Sequence, residues 1–332
     1  MATVNKSILP KKVTERELLE RDLIRIYNSK TWKIFLFQRK IKDIIRQFLS
    51  VIKKYSLSYL RLLKYKLENR KFYDPEFTYS DKNPVHYLLS SKGYEPEISV
   101  IIPHFNQSGY INHTLNSLKD QSFQDFEIII IDDGSSKNQL KALKILAERY
   151  RFTLIINENN YGPGYCRNLG INKSSGRYIL CLDSDDILPN YALMEMIIAL
   201  KNNANYGFVY GNYQYFGYKN YLEKRWKYNF YKLLKENYII VTSLFKKMLW
   251  EECGSFDENM IGYEDWEFWI NLGKNGWYGY YLNKVLLNVR IKKRSRNLVA
   301  INKNKELIKY MKEKHKDIYN PKRLKEIKTL WK

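Results

Sequence analysis

Three carboxylates lie within four positions in the segment Asp183-Ser184-Asp185-Asp186. The segment follows an apolar run at residues 178–182, which predicts a buried strand. So much negative charge at a strand end needs a positive partner, and Mg²⁺ or Mn²⁺ commonly bridges such oxygen ligands to phosphates. An acidic turn that caps the next helix explains the same residues, because Asp is a favoured N-cap. Both interpretations stay open from this segment alone.

A second acidic turn, Asp132-Asp133-Gly134, follows the predicted strand at residues 126–131. A carboxylate at a strand end can accept hydrogen bonds from a ribose hydroxyl or a base N–H, and Gly134 lets the chain turn sharply. The alternative is an Asp-Gly turn in which Ser135 or Ser136 caps the next helix.

A third segment, NNYGPG at residues 159–164, precedes a predicted helix that carries Arg167. A glycine-flanked helix start offers free backbone N–H groups to an anion, and Arg167 could bind phosphate beside it. An ordinary surface arginine is the alternative. A cationic run at residues 290–296 could close over a diphosphate, although a solvated run of charges is the more usual explanation.

A fourth segment places Glu264 and Asp265 among large aromatic side chains. An apolar setting raises the pKa of a carboxyl group, which suits a general base acting on a sugar hydroxyl, and aromatic faces can stack on sugar rings. The alternative is an amphipathic helix that begins near these acids and buries Trp266, Phe268 and Trp269 in the core.

The elements that must position these residues alternate between strand and helix. Apolar strands are predicted at residues 98–102, 126–131, 154–156 and 178–182, and helices at 110–121, 139–150 and 164–173. Largely continuous apolar strands are buried on both faces, which predicts an α/β fold with a mostly parallel central sheet covered by helices. Ligands of such sheets bind at the carboxyl ends of the strands, where the acidic turns fall.

The net charge of the chain limits the classes of possible partners, and its length limits the number of domains. The chain has 332 residues and a net charge of +22, which favours nucleic acid, anionic lipid or phosphorylated substrates. We expect a basic helical extension and linker at 1–95, a catalytic domain at 96–296 and a basic helical tail at 297–332. Residues 30–71 contain thirteen Lys and Arg but only two acids, and their apolar residues form a stripe at helical spacing. This pattern suits binding to an anionic membrane surface or packing onto another helix.

Three cysteines, Cys166, Cys181 and Cys253, lie far apart and form no CxxC pair, which argues against a disulfide framework or a zinc ribbon. The sequence has no apolar run near the roughly 20 residues that span a bilayer, and no apolar signal-peptide core at its start. We therefore expect a cytoplasmic protein, with peripheral attachment to the inner face of the cell membrane through its basic helix.

The order of these segments resembles the family 2 glycosyltransferases, which have the GT-A fold. The resemblance covers residues 97–296. Its matching pieces are SVIIPHFN (99–106), IIIDDGSS (129–136), NYGPGYCRNLGI (160–171), YILCLDSDD (178–186) and GSFDENMIGYEDWEFWINL (254–272).

The resemblance implies a role for each matching residue. It places Asp133 at the nucleotide base with Asp132 beside it, and it identifies Asp183 and Asp185 with the DxD motif of the family. Asp183 would lie near the ribose or the sugar. Asp185 would hold a divalent metal, Mn²⁺ or Mg²⁺, with Asp186 as a second candidate on the metal side.

The resemblance also implies that Asp265, paired with Glu264, is the general base, and that Arg167 lies near the donor. Pro103 and Phe105, at the end of the first strand, are further candidates for donor binding. Lys292 stands where relatives often carry a histidine. A protonated lysine cannot be a metal ligand, so Lys292 is expected at the diphosphate or as a cause of weak metal affinity.

These residues predict a metal-dependent, inverting glycosyltransferase. The expected donor is a nucleotide sugar, UDP-linked, and the expected acceptor is a hydroxyl of a glycan or of a lipid-linked glycan in surface polysaccharide synthesis. A nucleotidyltransferase acting on sugar phosphates would share the acidic site but would not need the Glu-Asp-Trp segment. A nucleic-acid-binding protein would use the charge, but that charge is concentrated towards the two ends of the chain, so no nucleic-acid partner is expected.

Overall fold

The computed structural model describes residues 96–203, 205–292 and 304–331. The predicted basic extension at residues 1–95 and residues 293–296 of the cationic run lie outside these ranges. Membrane contact by the extension therefore stays a prediction.

Eight strands form one mixed sheet in the described part of the chain. The strands are β1 (Ile98–His104), β2 (Phe126–Asp133), β3 (Thr153–Asn157), β4 (Tyr178–Cys181), β5 (Phe208–Gly217), β6 (Tyr221–Glu223), β7 (Leu244–Lys246) and β8 (Gly279–Ile291). Their order is β3-β2-β1-β4-β7-β5-β6, and β8 pairs with β5. Strands β3, β2, β1 and β4 are parallel to one another, as is β8 to β5, whereas β7 runs antiparallel to both β4 and β5.

Helices cover both faces of this sheet. They are α1 (Ser108–Lys119), α2 (Lys137–Tyr150), α3 (Pro163–Lys173), α4 (Ala192–Asn202), α5 (Phe230–Leu233), α6 (Lys247–Cys253), α7 (Glu264–Lys274), α8 (Asn304–Lys314), α9 (Lys316–Tyr319) and α10 (Pro321–Leu330). The parallel sheet and the first three helices confirm the predicted α/β class.

The position of β1 between two helical layers explains why its sequence is largely apolar. Val100 and Ile102 pack in the cluster that contains residues of α1 and α4, whereas Ile101 packs in the cluster of the opposite face with residues of α3 and α7. Because successive side chains of a strand point to opposite faces, a strand between two helical layers carries apolar residues on both of its faces.

Helix α3 lies directly against β1 and β2 because Gly170 has no side chain. A Cβ at this position would lie 2.7 Å from Ile131 Cδ1 and would also overlap Ile101. This close approach brings the first turns of α3, including Arg167, to the carboxyl end of the sheet.

The helical tail α8–α10 packs onto the same domain. Leu307, Met311, Ile318 and Ile327 are buried in the cluster that contains the core residues of α7. Glu267 of α7 is fully buried, and its Oε1 contacts His315 Nε2 at 2.7 Å and Lys314 Nζ at 3.1 Å. Within the described ranges, no helix combines the length and the apolar character needed to cross a bilayer.

Candidate active site

Arg167 joins two acidic segments that are far apart in the chain. Its Nη2 donates to Asp183 Oδ1 at 3.0 Å, and its Nη1 donates to Glu264 Oε1 at 2.5 Å. Burial alone would lower the pKa of the Arg167 guanidinium, but the charges of Asp183 and Glu264 outweigh burial and raise it. Since Arg167 belongs to α3, Asp183 follows β4 and Glu264 begins α7, one buried cation holds three segments together.

Asp265 is the second residue of α7 and lies partly exposed beside Glu264. The backbone N–H of Trp266 donates to Asp265 Oδ1 at 2.8 Å, and Asn237 Nδ2 donates to the same oxygen at 3.3 Å. Burial, followed by the charge of Glu264, raises the pKa of Asp265 to about 7. A carboxyl group with that pKa can accept a proton near neutral pH, which fits the predicted general base.

The aromatic residues after Asp265 lie in the core. Trp266, Phe268 and Trp269 are all buried, and Trp269 stacks on Phe208 with ring centroids 4.6 Å apart. The prediction that aromatic faces stack on a sugar ring is therefore wrong for these three side chains. They form the apolar face of α7, which packs against the sheet. The amphipathic-helix alternative describes them correctly, and both acids stand in its first turn.

Asp133 holds the turn that leads into α3. Its Oδ1 accepts from the backbone N–H of Tyr161 at 2.9 Å and its Oδ2 from that of Gly162 at 2.8 Å, while Asn157 Nδ2 donates to Oδ1 at 3.1 Å. The carboxylate is buried and thereby positions the helix that carries Arg167. Its role at the nucleotide base stays a prediction.

Gly134 is required by the same turn. Its φ of 74° lies in the left-handed region, and a Cβ would come within 2.8 Å of the carbonyl carbon of Asn159. The backbone of the β2 turn can therefore approach residues 159–160 only because this position is glycine.

Asp132 is fully buried and ties the ends of β1 and β2 together. Its Oδ1 lies 2.9 Å from His104 Nδ1, and its Oδ2 accepts from the backbone N–H of Ser135 at 3.1 Å. Burial raises the pKa of Asp132, but the hydrogen bonds from His104 and Ser135 outweigh it and lower the pKa. As placed, both oxygens of Asp132 contact protein groups, and its role beside the nucleotide stays a prediction.

Asp185 is paired with Lys292, which follows the last residue of β8. Lys292 Nζ lies 2.5 Å from Asp185 Oδ2 and donates to Gln107 Oε1 at 3.0 Å. The same ammonium lies 4.6 Å from the centroid of the Tyr110 ring. The acidic segment and the end of β8 therefore meet at the carboxyl end of β1.

Asp186 is buried and binds the backbone of β8. Its Oδ1 accepts from the backbone N–H of Arg290 at 2.9 Å. Burial, followed by the charges of Asp183 and Asp185, raises the pKa of Asp186 well above its ordinary value. Asp186 therefore stays protonated to a higher pH than an ordinary carboxyl group, and a protonated carboxyl group is a poor metal ligand.

Pro103 and Phe105 lie where the resemblance predicts, at the carboxyl end of the sheet. Pro103 of β1 pairs with Ile131 of β2, and Phe105 directly follows β1. Both side chains are half-buried. Their contact with a donor stays a prediction.

The side chains predicted for a divalent cation do not fit one as they are arranged. Asp185 faces the Lys292 ammonium, Asp183 faces the Arg167 guanidinium, and Asp186 accepts a backbone N–H. Across residues 96–203, 205–292 and 304–331, no three His, Cys, Asp or Glu side chains form a group that could hold a metal ion. The chain instead supplies its own cations to the acidic segment.

Sequence reasoning missed three residues that contact charged groups of this site. Gln107 and Tyr110 surround the Lys292 ammonium, and Asn237 binds the predicted base. The position of Gln107 just after β1, at the carboxyl end of a parallel strand, was the signal available for it. Asn237 lies in a segment between α5 and β7 that carries no such signal.

The profile of Glycosyl transferase family 2 matches residues 99–258. The chain is 30% identical over 226 residues to the GalNAc(5)-diNAcBac-PP-undecaprenol beta-1,3-glucosyltransferase of Campylobacter jejuni. The aligned region covers 63% of this chain and 69% of that protein. The chain belongs to glycosyltransferase family 2. A second relative, UDP-Glc:alpha-D-GlcNAc-diphosphoundecaprenol beta-1,3-glucosyltransferase WfgD of Escherichia coli, is 31% identical over 54% of this chain and 70% of its own length.

The fold of this family 2 chain is also seen in a solved structure. The mannosyltransferase PcManGT of Pyrobaculum calidifontis, in complex with GDP-Man and Mn²⁺, superposes with a TM-score of 0.55 at 19% identity, over 71% of this chain and 68% of that one. This likeness confirms the predicted GT-A fold. The chain spans only 31% and 48% of the length of two other relatives, both uncharacterized glycosyltransferases.

Proposed function

We propose that this chain is an inverting glycosyltransferase. It moves a sugar from a nucleoside-diphosphate donor, UDP-linked, to a hydroxyl group of a glycan or of a lipid-linked glycan in surface polysaccharide synthesis. Two relatives support the acceptor class, because their names describe transfer to undecaprenol-linked glycans, and one of these names gives UDP-Glc as the donor. A lipid-linked acceptor would also suit the expected attachment of the basic extension to the inner face of the cell membrane.

The observation that carries the proposal is the contact of Arg167 with Asp183 and Glu264. It brings the acidic segment after β4, expected near the ribose or sugar of the donor, to the first turn of α7, where Asp265 lies. Arg167 therefore connects the segment expected to bind the donor with Glu264, the residue next to the proposed base. Inverting transfer needs this proximity, since the acceptor must attack the sugar from the side opposite to the diphosphate.

The proposed reaction is a single displacement. Asp265, ionised above its pKa of about 7, takes the proton of the acceptor hydroxyl as that oxygen bonds to the anomeric carbon. The bond from the anomeric carbon to the phosphate oxygen breaks, and its electron pair leaves with the nucleoside diphosphate. Arg167 and Lys292 each pair with a carboxylate of the acidic segment, so we assign to them the role of opposing the charge that develops on the diphosphate.

The test is a screen of nucleotide sugars with product analysis. We expect at least one UDP-linked sugar to be hydrolysed slowly without acceptor, with release of nucleoside diphosphate. Release of pyrophosphate from a sugar phosphate and a nucleoside triphosphate would instead identify a nucleotidyltransferase.

A variant of the base tests the assignment of Asp265. Asp265→Asn should reduce transfer by about 10³-fold and leave donor affinity, measured by calorimetry, nearly unchanged. Asp317→Asn is the matched control, because Asp317 lies on α9 and pairs with Lys274 on the exposed surface. Wild-type turnover by Asp265→Asn would refute the assignment.

A further inference from the structure

The position of Lys292 is set by backbone contacts of β8. Ile187 and Asn288 exchange two backbone hydrogen bonds of 3.0 and 2.8 Å, which attach β8 to the acidic segment. The Arg290 N–H binds Asp186, and Arg290 Nε donates to the carbonyl oxygen of Asp185 at 2.9 Å. Because residues two apart on an extended chain point to the same side, Lys292 is directed towards the segment that already binds Arg290.

The Lys292 ammonium lies in a defined environment. It is surrounded by a carboxylate oxygen of Asp185, the side-chain carbonyl oxygen of Gln107 and the aromatic face of Tyr110. The side chains of Lys292 and Asp185 are only 23% and 18% exposed, so water screens this pair less than an ordinary surface pair. An ammonium has three N–H donors, and Asp185 and Gln107 accept from two of them, so the third can bind a phosphate oxygen.

The charges of the acidic segment are balanced by the chain itself. Arg167 faces Asp183 and Lys292 faces Asp185, while Asp186 binds a backbone N–H. A divalent cation that approached Asp185 would meet an ammonium already 2.5 Å from Oδ2. Binding of the cation to Oδ2 would require Lys292 to move away from that oxygen.

We propose, on the basis of the function proposed above, that the Lys292 ammonium takes the place of a divalent metal ion at Asp185. When the bond between the anomeric carbon and the phosphate oxygen breaks, the electron pair goes to the diphosphate, and Lys292 donates a hydrogen bond to the oxygen that gains the charge. The proton of the acceptor goes to Asp265, so Lys292 stays protonated throughout. Sugar transfer by this chain then requires no divalent metal.

Direct measurement of Mn²⁺ binding tests this proposal without any donor. The full chain is titrated with Mn²⁺, and free Mn²⁺ is followed by electron paramagnetic resonance. Wild type and Lys292→Arg should bind Mn²⁺ weakly, whereas Lys292→His should bind roughly tenfold or more tightly, because a neutral imidazole joins Asp185 in place of a cation. Adding Asp185→Asn to Lys292→His should remove the gained affinity.

A matched control separates a local effect from a general loss of positive charge. Lys284→His changes a lysine within β8 that pairs with Glu195 outside the acidic segment, and it should leave Mn²⁺ affinity at the wild-type value. Thermal unfolding checks that each variant is folded. Mn²⁺ binding by wild type as tight as by Lys292→His would overturn the proposal.

Activity gives a second, independent readout. Wild-type turnover should survive EDTA, and Lys292→Ala should lose about 10²- to 10³-fold in EDTA and recover part of that loss with Mn²⁺. Wild-type turnover that is abolished by EDTA and restored by Mn²⁺ would overturn the role of Lys292. If no nucleotide sugar reacts under any condition, the proposed glycosyltransferase activity fails, while the Mn²⁺ titration still decides whether Lys292 occupies the cation position.

Discussion

Replacement of Arg167 by methionine should destabilise the domain mainly through Glu264. Removing one partner of a buried ion pair costs roughly 3–5 kcal/mol, whereas an exposed pair contributes at most about 1 kcal/mol. The side chain of Glu264 is 9% exposed and that of Asp183 is 45% exposed. Water can therefore solvate Asp183 after the substitution but not Glu264. We expect Arg167→Met to lower the free energy of unfolding by about 3–4 kcal/mol, of which less than about 1 kcal/mol comes from Asp183.

Double-mutant cycles measured by urea unfolding at neutral pH separate the two contacts. The cycle of Arg167→Met with Glu264→Gln should give a coupling energy of about 2–3 kcal/mol, and the cycle with Asp183→Asn less than about 1 kcal/mol. Arg323→Met is the control, because Arg323 pairs with Glu326 on the exposed surface of α10 and its loss should cost less than about 0.5 kcal/mol. Equal coupling energies in the two cycles, or a loss below about 1 kcal/mol for Arg167→Met, would refute this account.

Three further predictions concern the base, a turn and the tail. The kcat/KM of transfer should fall about tenfold per pH unit below about pH 7 and stay flat above it, because Asp265 must be ionised and its pKa is raised to about 7; a profile flat down to pH 5 would exclude this base. Gly134→Ala should cost about 1–3 kcal/mol in urea unfolding, because φ is 74° and the Cβ would meet the Asn159 carbonyl; unchanged stability would show that the turn can relax. His315→Leu should cost about 1–3 kcal/mol, because it removes a partner from the fully buried Glu267, and calorimetric unfolding at the wild-type temperature would contradict this.

The strands around the site were predictable because their local sequences are apolar enough to indicate burial on both faces. Residues 98–102 and 126–131 lie between two helical layers and are apolar except for Ser99 and Glu127, and this pattern predicts parallel strands without any partner being known. The later strands were not predicted. β5 and β8 carry tyrosine and asparagine among their apolar positions, β8 also carries Lys284 and Arg290, and β7 has only three residues.

Some side chains at the site could not be interpreted without their neighbours. The sequence presents Trp266 as equally suited to a sugar platform or to the core, and only the packing of α7 on the sheet decides for the core. Asp132 and Asp133 are adjacent, yet one binds His104 and the other binds the turn before α3. Residues at successive positions of a strand point to opposite sides, so the same residue type meets different partners.

The sequence by itself determined that acidic turns follow apolar parallel strands, and therefore that carboxylates collect at one edge of an α/β sheet. Only the tertiary structure decided which cation meets each carboxylate. Arg167 lies 97 positions from Glu264, and Lys292 lies more than a hundred positions from Asp185. Ion pairs form between side chains that the packing of helices and strands brings within a few ångströms, and that distance depends on the whole fold rather than on local sequence.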